Sequence, residues 1–286
     1  MSNMTPIVGA HMSTKNGMQA IFKDSFAING NTAQVFTANP RQWGSKKYGE
    51  EEIAEYFSKK EQYPEFKIVS HASYLINIAS VVPEKRESAI NSFMAELKRC
   101  GTFKIPYVVL HPGSFTGGER SEGIAAISES LGELIRIAEE EGVTILLENT
   151  GGQGSYLGAT FEELAEIIDK TAGGKENLGV CIDTCHLFVA GYDLREDENY
   201  ENVWANFEKS LGFDFLKALH LNDTDKDLGS KSDRHTDIGE GILSLLPFEL
   251  IMNDKRFINI PKILETPGDD QDHARNIALL RGMYKG

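Results

Sequence analysis

The feature that most constrains this chain is a recurrence. Eight short apolar runs are each followed by helix-like sequence, and seven of the eight stop at His, Asp or Glu. The sharpest case is residues 178–186, Leu-Gly-Val-Cys-Ile-Asp-Thr-Cys-His. A β-branched apolar run bounded by glycine reads as a buried strand. It ends at Asp183, with His186 three residues on. A carboxylate and an imidazole at the rim of a buried strand are costly unless something binds them.

The other runs repeat this event. Residues 6–10 end at His11, 66–70 at His71, 106–110 at His111 and 143–147 at Glu148. Residues 216–219 end at His220 and 260–264 at Glu265, while 32–36 run out at Asn39-Pro40-Arg41. Between them lie helical faces, such as Ala89, Ile90, Phe93 and Leu97, then Ile127, Leu131, Leu134, Ile135 and Ala138. Thr160 followed by Glu163 is a capping box opening another helix. A last helix, residues 272–281, turns Ile277 and Leu280 inward and leaves His273 solvated. Strand then helix, eight times, predicts an α/β fold, a (β/α)8 TIM barrel. The competing doubly wound open sheet would leave His71 and Glu265 far apart, whereas a barrel brings every strand end to one mouth. No linker, tandem repeat or low-complexity segment interrupts the pattern, so 1–286 is expected to be a single domain.

Composition sets the function classes. At 286 residues with 41% hydrophobic and 25% charged content, the chain can bury a sizeable core as a soluble globular protein. Its net charge of −14 repels nucleic acid and anionic membrane on average, which counts against diffuse basic binding. Three cysteines, Cys100, Cys181 and Cys185, make no disulfide framework and suit a reducing compartment. Cys181 and Cys185 are four apart, not at zinc-knuckle spacing, and read as small buried residues. Without a basic N-terminal segment or an apolar run long enough to span a bilayer, a cytoplasmic location is expected and no membrane contact.

Of seven histidines, His71, His111, His186, His220 and His235 fall at strand ends or in the following loops, with His11 near the same face. Glu148, Asp183, Asp233 and Glu265 accompany them. A lone strand-end histidine is more often a hydrogen-bonded structural residue, and Asp233-Arg234-His235 alone is an ordinary loop tripeptide. Gathered on one face, these groups would be mutually unfavourable unless divalent cations compensated them. Mixed imidazole and carboxylate donors suit zinc or manganese better than magnesium or calcium. The set exceeds one tetrahedral site and suffices for two or three ions, an arrangement that typically drives displacement at phosphorus. The glycines at 151, 152, 154 and 158 are not a P-loop, since no Gly-Lys-Ser/Thr follows.

Together His111-Pro-Gly-Ser, Glu148-Asn-Thr-Gly-Gly-Gln-Gly-Ser, Cys181-Ile-Asp-Thr-Cys-His, His220-Leu-Asn-Asp, Asp233-Arg-His and Gly239-Glu-Gly resemble the endonuclease IV family of apurinic/apyrimidinic endonucleases, in order and over nearly the whole chain. The resemblance implies a TIM barrel with three zinc ions, manganese being possible at one site. It implies hydrolysis of duplex DNA on the 5′ side of an abasic site by a three-zinc hydroxide mechanism, leaving a 3′-hydroxyl and a 5′-deoxyribose phosphate. No protein nucleophile is then expected. His71 and His111 would hold one ion, shared through Glu148. Glu148 would bridge to a second, also held by Asp183, His220 and Glu265. His186, Asp233 and His235 would hold the third. Glu148, Asp183 and Glu265 would thereby be the catalytic carboxylates.

The same resemblance makes Arg41, Tyr74 and Leu75 candidates for wedging into the DNA stack, although spacing alone equally suits Trp43 and Tyr74 as caps on the barrel top. Unstacking costs least where a base is missing, and a pocket too tight for a base would add selectivity. Lys231 and Arg234 are expected to contact DNA as part of a basic mouth set with Lys15, Lys46, Lys47 and Lys226. Three divalent ions more than neutralise the four carboxylate ligands, which predicts a positive mouth on an acidic body. A monomer without an obligate protein partner is expected. The runner-up is a metal-dependent sugar isomerase or epimerase on a similar barrel, which uses Glu148, Asp183, His220 and Glu265 but has no need of His186, Asp233 and His235. A third reading is a zinc-dependent binder of DNA lesions without catalysis.

Overall fold

A computed structural model describes residues 5–43 and 46–286. Among these the order is β1 (Val8–Met12), α1 (Ala20–Ala27), β2 (Thr32–Val35), α2 (Glu50–Lys60), β3 (Lys67–His71), α3 (Pro83–Phe103), β4 (Tyr107–Leu110) and α4 (Arg120–Glu141). There follow β5 (Thr144–Glu148), α5 (Phe161–Lys170), the one-turn α6 (Gly174–Asn177), β6 (Leu178–Asp183), α7 (Thr184–Ala190) and α8 (Asp197–Ser210). The chain finishes with β7 (Leu216–His220), α9 (Leu246–Asn253), β8 (Lys262–Leu264) and α10 (Asp270–Met283). All eight strands pair in parallel in sequence order, and β1 bonds both β2 and β8, closing the expected barrel.

Local chemistry explains the element ends. Lys104 in the left-handed region stops α3, and Gly142 at φ 68° stops α4. Strand β8 starts at Lys262 rather than at 260, because Pro261 has no N–H to give a ladder. Strand β1 reaches Met12, so His11 lies within it rather than beyond it. At Thr160 the hydroxyl does accept from the Glu163 N–H at 3.1 Å. The Glu163 carboxylate, however, takes the N–H groups of Gly158 and Ala159 instead of closing a capping box.

Two apolar layers set the site. The larger lies between strands and helices; the smaller fills the barrel with Val69, Val109, Leu146, Cys181, Ala218 and Ile263, one from each of β3 to β8. Side chains along a strand alternate faces, so the residue two further on also points inward. Those residues are His71, His111, Glu148, Asp183, His220 and Glu265. The polar rim is thus a second layer stacked on the apolar one. On β1 and β2 the close approach is extreme: a Cβ on Gly9 would lie 1.9 Å from the Thr32 carbonyl oxygen. No described helix is long and apolar enough to cross a membrane.

Candidate metal centre

Glu148 ends β5 fully buried, and its two oxygens face different partners. Oε2 lies 3.1 Å from His71 Nε2 and 3.0 Å from His111 Nε2. Oε1 lies 2.9 Å from His220 Nδ1. His220 Nδ1 also approaches Glu265 Oε2 at 3.2 Å and Asp183 Oδ2 at 3.9 Å. Asp233 spans the remaining pair, with Oδ2 3.2 Å from His186 Nε2 and Oδ1 3.2 Å from His235 Nε2. His235 Nε2 is also 3.8 Å from Asp183 Oδ2. The donors therefore fall into clusters with atoms within 4.8 Å of one another: His71, His111 and Glu148; Glu148, Asp183, His220 and Glu265; Asp183, His186 and His235. Cys185, whose thiol donates to the Arg234 carbonyl at 3.6 Å, adds a cluster with Asp233 and His235.

These residues fit metal ions on the chemistry of the donor set. Buried carboxylates are ordinarily paired with Lys or Arg or bind a metal, yet among the described residues Glu148 and Asp183 meet only imidazoles and neutral groups. The imidazoles are oriented as ligands are. His71 Nδ1–H donates to the Ala72 carbonyl at 2.8 Å, His186 Nδ1–H to the Asn149 carbonyl at 2.9 Å, and His235 Nδ1–H to the Glu265 carbonyl at 3.3 Å. Each such bond turns the other nitrogen toward the carboxylates, as carbonyls behind metal-binding imidazoles do. His186 is reached differently from the others. It sits in the first turn of α7, where the Asp183 carboxylate caps the helix by accepting the His186 N–H at 2.8 Å.

Burial alone would raise the Glu148 carboxyl, but His220 and His111 hold it well below the usual range. Burial would likewise lower His186, yet Asp183, Asp233 and Glu148 push it well above. His235 is raised well above in the same way, against its burial, by Asp183 and Asp233. His71 is raised by Glu148 against its burial.

All nine expected ligands converge. His11 joins them through Nδ1, 3.3 Å from Glu265 Oε1. His273 is a correction: it is half-buried, its Nε2–H donates to the Thr266 carbonyl at 3.1 Å, and it lines the same cavity as His11, His235 and Glu265. Tyr74, though 67% exposed, lies over the polar rim with its ring centroid 6.2 Å from that of His71, whereas Trp43, 55% exposed, lines a neighbouring cavity. Arg41 is exposed, Leu75 is half-buried and lines one cavity with Trp43, and Tyr74 rests edge-on against Phe36. Lys231 and Arg234 are exposed, and among the described residues neither they nor Arg41 and Lys15 form an ion pair. Lys46 and Lys226 do, with Glu52 and Asp225. Gly158, at φ 87°, passes Glu148 so closely that a Cβ would sit 3.3 Å from its carbonyl oxygen.

Three amide side chains escape the sequence reading. Asn222 donates to Asp183 Oδ2 at 2.6 Å and accepts the Glu265 N–H at 2.8 Å. Asn149 accepts the Asp183 N–H at 2.7 Å. Gln34, fully buried on β2, lies in register with His11 and reaches Glu265 and His220. The one signal for Gln34 is its inward parity on the second strand, two residues after Thr32. Asp223, by contrast, is structural: it accepts the N–H groups of Gly239, Gly241 and Leu243 and ties down the loop carrying Gly239-Glu-Gly.

A family model described as Xylose isomerase-like TIM barrel matches residues 23–283. The chain is 40% identical over 283 residues to "Probable endonuclease 4" of Chloroflexus aurantiacus, covering 98% of this chain and 99% of that one. It is 42% identical over 281 residues to "Apurinic-apyrimidinic endonuclease 1" of Plasmodium berghei, covering 97% of this chain and 55% of that one. Among solved structures, endonuclease IV from Thermus thermophilus superposes with a TM-score of 0.85 at 31% identity, covering 97% of this chain and 98% of that one. With that barrel, that donor set and these relatives, the chain belongs to the endonuclease IV family.

Proposed function

We propose that this protein is a DNA-repair nuclease that hydrolyses the phosphodiester bond 5′ to abasic sites in duplex DNA. The reading rests on the whole chain acting as one domain with three zinc ions, manganese being an acceptable occupant of one site. The observation that carries it is the cluster around His186, Asp233 and His235, joined through Asp183 to the one around Glu148. A sugar isomerase site is complete with Glu148, Asp183, His220 and Glu265 and leaves that cluster without a role.

His71 and His111 with Glu148 would hold one ion; Glu148, Asp183, His220 and Glu265 a second; His186, Asp233 and His235 the third. Bound there, divalent ions supply Lewis-acid activation of water and of the phosphate. The protein's part is to fix the donors. Glu148 offers one oxygen to each of two clusters, Asp183 is held by Asn222 and the turn of α7, and Glu265 is held at its backbone by Asn222. No Ser, Cys or Lys nucleophile is required.

Beside the centre a cavity of about 460 Å³ is lined by Tyr74, His111, Ser114, Gln153, Tyr156 and Asp233, and this is where the extruded abasic sugar-phosphate would sit. That volume lies in the range of small-molecule pockets, so it is not by itself too tight for a base. Lesion selectivity then falls chiefly on the lower cost of extruding a nucleotide that has lost its base. Arg41, Tyr74 and Leu75 project from the loops after β2 and β3 and would wedge into the stack; Lys231 and Arg234 would take phosphates. The partner is double-stranded DNA carrying abasic sites, and the protein would work as a cytoplasmic monomer with no obligate protein partner.

Incubation with a duplex carrying one abasic site tests this. Nicking 5′ to the lesion is expected, leaving a 3′-hydroxyl and a 5′-deoxyribose phosphate, with loss of at least ~100-fold in Glu148→Gln or Glu265→Gln. Binding without nicking by the metal-loaded wild type would support the lesion-binder reading instead.

A further inference from the structure

We infer that Gln34 is a positioning residue that dictates which nitrogen of His220 faces the metal. This rests on the metal reading above and goes beyond its ligand set.

The hydrogen-bond pattern around Gln34 admits one orientation. Its Nε2 lies 2.6 Å from Glu265 Oε1, and a carboxylate oxygen can only accept, so the amide NH2 must point there. Reversing the amide would set its carbonyl oxygen against the carboxylate. The Oε1 end therefore faces His220 Nε2 at 2.8 Å and accepts its N–H. That assigns the His220 proton to Nε2 and leaves Nδ1 pointing at Glu148, Glu265 and Asp183. The second amide hydrogen faces His11 Nδ1 at 3.1 Å. One buried amide thus sets a ligand imidazole and a ligand carboxylate at once.

His220 is the inverted member of the set. His71, His186 and His235 are each pinned at Nδ1 by a backbone carbonyl and offer Nε2. His220 is pinned at Nε2, by a side chain, and offers Nδ1. A backbone carbonyl survives any substitution of its own residue, but the pin on His220 does not. Strand β7 explains the inversion: the His220 ring lies inside the barrel with its far edge toward β2, where the inward-facing residue is Gln34.

Two measurements test the assignment. In zinc-loaded wild-type protein with 15N-labelled histidine, long-range 1H–15N spectra should show His220 bonded through Nδ1 with its proton on Nε2. His71, His186 and His235 should show the opposite pattern. A His220 proton on Nδ1 overturns the inference. Second, chelator competition should show zinc in the site of Asp183, His220 and Glu265 held on the order of 10–100-fold more weakly in Gln34→Leu, the usual cost of losing such a partner. Gln34→Glu keeps an acceptor for His220 and should keep its Nε2–H signature while loosening Glu265, and it carries the test should Gln34→Leu fail to fold. Unchanged zinc retention in a folded Gln34→Leu overturns the inference alone. A wild type that retains no zinc overturns the metal reading itself, and the inference with it.

Discussion

Glu148 is fully buried, and among the described residues no Lys or Arg neutralises it. At the scale of single residues, the carboxylates and imidazoles of the centre push each other's titration in opposite directions. Glu148 sits well below the ordinary carboxylate range despite its burial, because of His220 and His111. His186 and His235 sit well above the ordinary imidazole range despite theirs, because of Asp183 and Asp233. The signs follow by linkage. The raised imidazoles contribute stability that is complete below about pH 6.5 and is lost as pH rises through their folded values. The lowered Glu148 contributes stability present above its unfolded value and lost as pH falls through the folded one. Cations must displace the imidazole protons, so loading is expected to release protons at neutral pH and to tighten as pH rises. Calorimetric titration of zinc into the chelated protein, in buffers of different ionisation enthalpy, measures that release. Heats independent of the buffer would mean that the imidazoles carry no protons to lose.

Among elements, the strands do most of the positioning, and their period of two is why so much was legible. His71, His111, Glu148, Asp183, His220 and Glu265 each stand two residues beyond an apolar residue of the barrel interior. Any sequence that ends a buried run in such a residue advertises it. Gln34 was illegible for the complementary reason, since a buried glutamine mid-strand breaks no pattern and its partners come from β1, β7 and the end of β8. His186 was legible as a member of the donor cluster but not as a helical residue, because the strand-to-helix switch at Asp183 has no turn residue to mark it. His273 looked solvated because one helix shows nothing of the loop it folds back on. The tightest joint is β1 against β2, where Gly9 leaves no room for a methyl group beside the Thr32 backbone. Gly9→Ala must part the strands that carry His11 and Gln34. A loss of about 3 kcal/mol or more is expected, at the upper end of overpacking costs, read from denaturant unfolding. A loss below about 0.5 kcal/mol would mean the strands separate freely, as ordinary surface substitutions do.

For the whole molecule, the puzzle is how a chain of net charge −14 is to hold a polyanion. The proposed answer is local. Cations at the centre overcome the four carboxylates, and Lys231, Arg234, Arg41 and Lys15 stand exposed in the loops around the mouth. Lys231 is placed beside Gly152 on a segment whose N–H is bound to the Val189 carbonyl, so its backbone is held. Lys231→Glu should weaken binding to abasic-site duplex and flatten the dependence of log K on log salt by about one unit or more, as removal of one phosphate contact requires. An unchanged slope would remove Lys231 from the interface. Everything above the barrel presupposes that nine imidazole and carboxyl groups gather around cations, and metal content tests that most directly. Elemental analysis of protein purified and dialysed without chelator is predicted to give about three zinc ions per chain, one for each of the three proposed ligand sets. Less than about one zinc per chain, or a load of one or two manganese or magnesium ions alone, would contradict the account.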